Sequence, residues 1–462
     1  MKKLLLISLI FLLVGSFALT ALAIDLNMWG TPHYLQEGKE SGWYFKKVIG
    51  EFEELYPEVN IELEVLPWGK VGNDKRAIGI ATGTMADIIV GGAPGLSSYV
   101  RQGLLADFSD TMTAEETADY LPGYVDTFGV DGQMSFYLLC GIYGAGGMGI
   151  NKVLVEKAGA MDLLPLDRPY KHWTVEEYKI FCQKMTEYIK ENNLPDTFTT
   201  AFNFVDSSGN DVIIMWIFQD GWGVDPFEIV DGRYNCVLNS PKAIEALQWY
   251  LDLYNDPTCG VMQGAENTSL DWWENYWCTG KLVTCYGEGA GCAKWYQQQP
   301  EGFDEILQQL IVPYPNAPGG SPTFAVNGVG ISAFKTGDAE KEKYAKLFCQ
   351  FFATRPDMAE VTNIHSPPTY SSYDPDSLLY QKPLWDDVPE AIADFERTTN
   401  DPDVRLIGMG HKCPVHKQFK DTFAQTMQGV FIGELTVKEG LDIIVEKVNT
   451  LLDEYYEENP VE

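Results

Sequence analysis

Hydrophobic and polar positions change period several times along the first hundred residues of the chain. Residues 24–29 and 61–66 alternate as half-buried strands do, whereas apolar residues between 45 and 52 recur at the spacing of a helix. Residues 74–83 are typical of a second helix, and the apolar run 86–92 of a buried strand. The order β-α-β-α-β predicts a mainly parallel, doubly wound α/β sheet.

Local signals also mark where later helices begin. Thr174 and Thr436 each precede a glutamate by three positions, which is the spacing of a capping box. Ser240 and Pro241 together supply an N-cap and a proline at the first helical position. Each of these starts is followed by apolar residues on one helical face, so the second half of the chain also alternates between well-formed elements.

Proline and glycine are densest between Val312 and Phe334, which predicts an extended segment rather than a helix. The helix that follows this segment ends near Arg355 and Pro356, where the chain can change direction again. Two late crossings of this kind indicate two lobes that are each discontinuous in sequence.

The first residues are typical of a secretory signal peptide. Lys2 and Lys3 precede an apolar run over 4–14, and small residues end the segment at Ala21 to Ala23. We expect cleavage after Ala23 and an exported protein, periplasmic or extracellular. No cysteine stands at the cleavage point, which argues against a lipid anchor there, and no second apolar run is long enough to span a membrane.

Composition narrows the possible partners. The formal net charge of −33 disfavours nucleic acid and anionic lipid as partners, and 45% hydrophobic residues suffice to fill two cores. The nine cysteines are scattered and odd in number, so at least one cannot form an intramolecular disulfide. We interpret most of them as buried apolar side chains.

Segments with a recognisable pattern run in order through nearly the whole chain after residue 23. They include "FEELYPEVNIELE", "ATGTMADIIVGG", "RQGLLADFSD", "HWTVEEYKIFCQKM", "LNSPKAIEALQWYLDLY" and "GELTVKEGLDIIVEKVNTLL". In this order the chain resembles the family 1 extracellular solute-binding proteins of ABC transporters, the group that includes maltose-binding protein. Ala86, Trp222 and Thr284 depart from residues common in that family, which leaves the identity of the sugar open.

The resemblance implies a two-lobed periplasmic-binding-protein fold of type II, in which each lobe is a mainly parallel sheet flanked by helices. It places lobe one at 24–136 and 328–357, and lobe two at 137–327 and 358–462. The lobes would close by a hinge on a ligand held between them. Because ligands of open α/β sheets bind beyond the carboxyl ends of the strands, the loops after Trp29, Leu66, Val90 and Tyr286 are expected to face the cleft.

A sugar presents apolar C–H faces and a rim of hydroxyl groups, so its site needs aromatic rings and polar side chains. Residues of these types that stand near the carboxyl ends of predicted strands, or in loops beside the cleft, are the candidate ligand-binding residues. They are Trp29, His33, Trp68, Tyr143, Asn203, Asp206, Trp222, Trp273, Glu288, Trp295 and His416. For the tryptophans the alternative is a packing role, and for Trp222 it is packing beneath the next hairpin.

Cysteine and histidine are common metal ligands, but their spacing in this chain does not favour a metal site. Cys278, Cys285 and Cys292 recur every seven residues, but they fall on a predicted helix, a predicted strand and the start of another helix. The loop with His411, Cys413 and His416 lacks the second ligand pair of a structural zinc site. We therefore predict neither a metal nor a cofactor.

The favoured hypothesis is a monomeric binding protein that captures a carbohydrate, preferably an oligosaccharide, and delivers it to the transmembrane subunits of an ABC permease. One alternative is a peptide or polyol phosphate as the solute, although a phosphate would require Arg or Lys in the cleft loops, which offer few. The other is a secreted glycan-active enzyme. No nucleophile elbow, phosphate loop or H-E-x-x-H motif is present, so we predict no enzymatic activity.

Overall fold

The computed structural model describes most of the chain in segments. These are residues 23–32, 40–67, 70–120, 125, 128–129, 133–143, 147–168, 171–204, 213–264, 273–288, 302–317, 323–355, 405–408 and 413–460. The first strand, β1 (Ile24–Gly30), begins directly after the predicted cleavage point.

The first sheet has six strands and contains the β-α-β-α-β unit that the sequence predicts. Its strands are β1, β2 (Val59–Val65), β3 (Ile88–Gly92), β4 (Tyr137–Tyr143), β10 (Thr323–Ala333) and β11 (Arg405–Gly408). β1 lies between β2 and β3 and pairs with both in parallel. β10 is antiparallel to β3 and to β4 and parallel to β11, so β1 to β4 share one direction and β10 and β11 run against them.

Helices flank this sheet. They are α1 (Trp43–Leu55), α2 (Lys70–Thr82), α3 (Ala93–Arg101), the short α4 (Ala114–Ala118) and α8 (Ala339–Ala353). Among them, α1, α2 and α8 lie where the sequence predicts helices. Asp87, directly before β3, accepts a hydrogen bond of 2.8 Å from the backbone N–H of Asn27 in β1, so this acid joins the two strands.

The second sheet has one strand that runs against its neighbours. β5 (Gly147–Asn151) lies between β8 (Thr284–Glu288) and β9 (Gln309–Pro313) and is antiparallel to both, so β8 and β9 share a direction. Only residues 144–146 separate β4 from β5, so the chain passes directly from the first sheet to the second. The expected mainly parallel sheet is thus not found among the described strands of the second sheet, because the central strand β5 runs against both of its neighbours.

Helices and a hairpin surround the second sheet. The helices are α5 (Lys152–Lys157), α6 (Val175–Glu191), α7 (Pro241–Asn255), α9 (His416–Phe431) and α10 (Val437–Glu458), with π-helical turns at Met215–Asp220 and Trp273–Trp277 and 3-10 turns at Met161–Leu163 and Phe303–Glu305. The hairpin pairs β6 (Phe227–Val230) with β7 (Arg233–Cys236). The three predicted helix starts are confirmed, since Thr174, Ser240 and Thr436 each accept a hydrogen bond from a first-turn N–H.

Buried hydrophobic residues form two separate clusters. One combines residues from 26–139 with residues from 329–353, and the other combines residues from 148–317 with residues from 413–452. Along the chain, residues therefore change from the first cluster to the second after β4. They return to the first cluster before β10 and change to the second again after α8. The predicted lobe limits remain a prediction at the level of individual residues.

Stacked aromatic rings occupy the centre of the second cluster. The indole of Trp216 is fully buried, and its ring centroid lies 5.0 Å from that of Phe202, 5.7 Å from that of Tyr286 and 5.8 Å from that of Tyr314. The angles between the indole plane and the planes of these three rings are all below 30°. Four elements are thereby joined through one side chain, which gives this cluster a rigid centre.

Within the segments that the structure describes, no helix combines the length and the apolar character that crossing a bilayer requires.

We expect opposite effects from adding a methyl group at two glycines. In Gly330→Ala the new Cβ would lie 2.7 Å from the ring of Phe136 and 2.8 Å from Leu96, so overpacking should lower the free energy of unfolding by about 1–3 kcal/mol. In Gly50→Ala, inside α1, the Cβ meets nothing within 4 Å, and the free energy of unfolding should rise by about 0.5–1 kcal/mol. Urea unfolding measures both, and a tolerated Gly330→Ala would contradict the packing of β10.

The capping box of α6 should make stability depend on pH. Arg168 contacts both carboxylate oxygens of Glu177 at 2.8 and 2.9 Å and, together with Thr174, lowers the pKa of Glu177 to about 2. The folded-state pKa lies below the ordinary value, so this contribution is complete above about pH 4.5 and disappears as the pH falls toward 2. The melting temperature of Glu177→Gln should therefore approach that of wild type over this range. Glu187→Gln on the same helix, whose contact with Lys184 is 3.4 Å, is the control and should run parallel to wild type.

Candidate functional site

The two sheets come together at the passage between β4 and β5. Tyr143 ends β4 and pairs with Val326 of β10, while Glu288 ends β8 and pairs with Gly147 of β5. Because only three residues separate Tyr143 from Gly147, their Cα atoms are at most about 14 Å apart. The backbones of two predicted site residues, one from each sheet, thus flank the same crossing.

The carboxyl ends of β1, β2 and β3 lie along one edge of the first sheet. Gly30 pairs with Val65, and the N–H of Leu66 donates to the carbonyl of Gly30 at 3.0 Å. The loops with the predicted residues His33 and Trp68 begin at this edge, directly after β1 and β2. His33 and Trp68 themselves lie outside the described residues.

Trp29 is placed at the expected end of β1, but most of its ring is covered. Only 8% of the residue is exposed, and the ammonium group of Lys75 lies 5.1 Å from the ring centroid. A Cβ on Gly79 would come within 2.9 Å of the indole, so α2 packs directly onto it. In this conformation the ring packs beneath α2 at the end of β1.

The second cluster contributes one predicted polar residue whose side chain the structure describes. Asn203 is buried, and it ends a segment whose earlier residue Phe198 forms a parallel bridge with Leu282, just before β8. This alignment brings Asn203 toward the same end of the sheet as Glu288. Asp206 and Trp295 lie outside the described residues.

Trp222 belongs to the interior of the second cluster. It is buried, with its ring centroid 5.6 Å from that of Tyr250 and 5.9 Å from that of Trp249. No acceptor within the described part of the chain lies in reach of its indole N–H. These contacts favour the packing role over the platform role.

Two further candidates have helical positions. Trp273 begins a π-helical turn that ends at Trp277, and Gly280 follows it with a φ of 72°. His416 begins α9 instead of lying in a loop, is buried, and has its ring 6.1 Å from that of Phe419. A ligand would reach His416 only after movement of the groups that cover it.

The structure also shows two arginines that the sequence analysis did not single out. Arg101 ends α3 of the first cluster, and burial lowers its pKa while nearby Tyr234 and Cys413 of the second cluster oppose that shift. Arg76 lies on the buried face of α2, at i+4 from Gly72 and near Gly79. The sequence offered no signal for Arg76, since the apolar Val71 and Ile78 favour the opposite face of α2 as the buried one.

Among the residues that the structure describes, no three His, Cys, Asp or Glu side chains form a group that could hold a metal ion. His411 and Cys292 lie outside this part of the chain. Cys413 is buried, and burial raises the pKa of its thiol to about 12, which disfavours the thiolate that metal ligation requires.

A family model described as bacterial extracellular solute-binding protein matches residues 37–359 of this chain. Binding proteins of Brucella abortus and Brucella suis are 26% identical over 217 residues, which is 47% of this chain and 48% of each relative. The chain therefore matches about half the length of these relatives. The family model confirms the resemblance inferred from the ordered motifs.

Solved structures with the same fold cover nearly the whole chain. The ABC substrate-binding protein of Listeria monocytogenes in complex with cycloalternan aligns with a TM-score of 0.70 and 16% identity over 93% of this chain and 99% of that protein. A maltose-bound protein of T. maritima gives 0.68 and 17% over 93% and 100%, and a solute-binding protein of Agrobacterium radiobacter with ribitol gives 0.69 and 17% over 93% and 98%. The two-lobed fold prediction is confirmed.

We expect Trp222→Phe to separate packing from ligand contact. The smaller ring leaves a void beside Tyr250, so the free energy of unfolding should fall by at least about 1 kcal/mol. The dissociation constant of any solute that stabilises wild type should change by less than about twofold. Calorimetric titration and urea unfolding check the two effects, and a large loss of affinity with unchanged stability would show that the ring touches ligand.

Proposed function

The chain belongs to the bacterial extracellular solute-binding proteins, and we propose that it captures a carbohydrate between two lobes and delivers it to the membrane subunits of an ABC importer. The observation that carries this proposal is the passage between β4 and β5, where Tyr143 and Glu288 flank a crossing between two hydrophobic clusters. The solved structures with cycloalternan, maltose and ribitol share this fold and support a sugar or polyol as ligand.

The proposed lobes are 24–136 with 328–357, and 137–327 with 358–462. The two hydrophobic clusters change over close to these limits, which supports them. The ligand would bind to one lobe in the open state, and contacts from the second would favour the closed state by their differential affinity. The hinge would be formed by residues 144–146 together with the approach to β10.

In the proposed site, aromatic rings cover the apolar faces of the sugar and polar groups bind its hydroxyls. Tyr143 and Glu288 would lie at the crossing, with Asn203 beside them. The loops after β1 and β2 would add His33 and Trp68, and the second lobe Asp206, Trp273 and Trp295. The buried Trp29, Trp222 and His416 would support these residues from within the lobes.

A simple estimate gives the strength of such binding. A disaccharide has roughly 23 heavy atoms, and at about −0.3 kcal/mol per atom the binding free energy is about −7 kcal/mol. This corresponds to a dissociation constant in the micromolar range, which permits both capture and release.

The proposal also includes export from the cell and the absence of enzymatic activity. The family is extracellular, and we infer a signal peptide that is cleaved after Ala23, so that Ile24 of β1 becomes the first residue. The family and the matched relatives are binding proteins, which supports a protein without enzymatic activity. We infer a monomer that needs no cofactor.

The proposal predicts that a carbohydrate stabilises the purified protein beginning at Ile24. A sugar present at 100 times its dissociation constant should add about 2.7 kcal/mol to the free energy of unfolding. The test is a thermal-shift screen with mono- and oligosaccharides, followed by calorimetric titration of the hits. Peptides and polyol phosphates form the comparison set.

Glu288→Gln, which removes a charge without changing size, should weaken the best hit, whereas Glu187→Gln on α6 should leave its affinity unchanged. Stabilisation by a peptide alone would contradict the carbohydrate proposal. Cleaved sugar after long incubation would instead indicate a glycan-active enzyme.

A further inference from the structure

Helix α2 (Lys70–Thr82) packs against its sheet with an unusual face. Its buried residues include Gly72, Arg76 and Gly79, and Arg76 is only 7% exposed. In contrast, Val71 is 70% exposed and Ile78 is 62% exposed. An ordinary surface helix buries its apolar residues and exposes its charges, so α2 has this arrangement reversed.

The guanidinium of Arg76 has few partners for a buried cation. Its Nη1 donates to the side-chain oxygen of Asn73 and its Nη2 to the carbonyl of Val90, both at 3.3 Å, near the long end of the normal range. Its Nε–H has no acceptor, and no carboxylate pairs with it within the described segments. Burial lowers the pKa of Arg76, which the nearby Tyr99 partly opposes.

Arg76 lies near the edge of the sheet that faces the proposed cleft. Val90, which accepts its hydrogen bond, is the middle residue of β3 and stands two residues before the carboxyl end of that strand. At the same edge, a Cβ on Gly72 would lie 2.3 Å from the carbonyl oxygen of Pro67, so the start of α2 is held against the turn after β2. The cation therefore lies where two of the cleft-facing loops leave the sheet.

Taking a charge out of water is costly unless another group pairs with it. A binding protein can leave such a charge unpaired when the ligand supplies the partner, because the pairing then contributes to binding. We propose that Arg76 binds an anionic group of the ligand, and that the ligand is an acidic oligosaccharide containing uronic acid. The planar guanidinium, with Nε–H and N–H groups still available, matches a carboxylate in bidentate geometry.

The negative charge of the whole protein increases the need for a local cation if an anionic ligand is to bind. The formal net charge of −33 repels any anion at long range, although salt screens this repulsion beyond about 8 Å at physiological ionic strength. Association of an acidic sugar should therefore be faster at higher salt. A close pair with buried Arg76 is screened much less.

This inference rests on the proposed carbohydrate function, and matched ligands test the two separately. The probes are di- to tetrasaccharides of galacturonate, glucuronate and mannuronate, each compared with its methyl ester, which removes the charge and keeps nearly the same shape. Calorimetric titration should show that at least one uronate binds wild type and that its ester binds about 10 to 100 times more weakly. Sulfated and phosphorylated sugars identify other sources of negative charge.

Arg76→Met should lose about 10- to 100-fold in affinity for the acid and leave the affinity for the ester unchanged. Without ligand, its melting temperature should equal or exceed that of wild type, because it no longer buries an unpaired cation. Arg233→Met removes the same charge from an exposed hairpin and is the control for net charge. If Arg76→Met fails to fold, Arg76→Lys and the comparison of acid with ester in wild type still decide the question.

Binding of neutral oligosaccharides with no preference for any uronate over its ester would overturn the role of Arg76 and leave the carbohydrate function standing. Binding of a sulfated or phosphorylated sugar in place of every uronate would overturn the carboxylate assignment. An equal loss of affinity for acid and ester in Arg76→Met would show a structural role. Failure of every sugar, neutral or acidic, would contradict the proposed function itself.

Discussion

The short passage from β4 to β5 constrains the rest of the structure. β5 begins after only three intervening residues, and it runs against both β8 and β9. β10 is likewise reversed in the first sheet. The carboxyl ends of β4, β8 and β9 consequently lie near this crossing, where the proposed ligand site would be.

The interior of each lobe holds this edge in place. In the second lobe, Trp216 stacks on Phe202 and Tyr286, whose segments continue to Asn203 and Glu288. In the first lobe, Gly79 allows α2 to lie directly on Trp29, and Gly72 allows it to lie against Pro67. Packed elements of this kind can hold the side chains of a site in position with the precision that selective binding requires.

The predicted secondary-structure elements agree with the structure better than the predicted roles of the site residues do, and the reason is physical. Capping boxes and apolar periods depend on neighbours within a few residues, and Thr174, Ser240 and Thr436 begin helices as predicted. The roles of aromatic residues depend on packing from distant parts of the chain. Trp29 and Trp222 have the right residue type near strand ends, yet α2 covers one and α7 the other.

The sequence by itself determined the alternation of strands and helices, the helix starts and the resemblance to a family, because these follow from local periodicity and from the order of motifs. Only the tertiary structure decided the direction of β5, the burial of Trp222 and the inward position of Arg76. Each of these depends on contacts between residues far apart in the chain, which no local pattern encodes. The glycines at 72 and 79 let α2 approach the sheet closely enough to bury a cation, and only the packed structure shows this role.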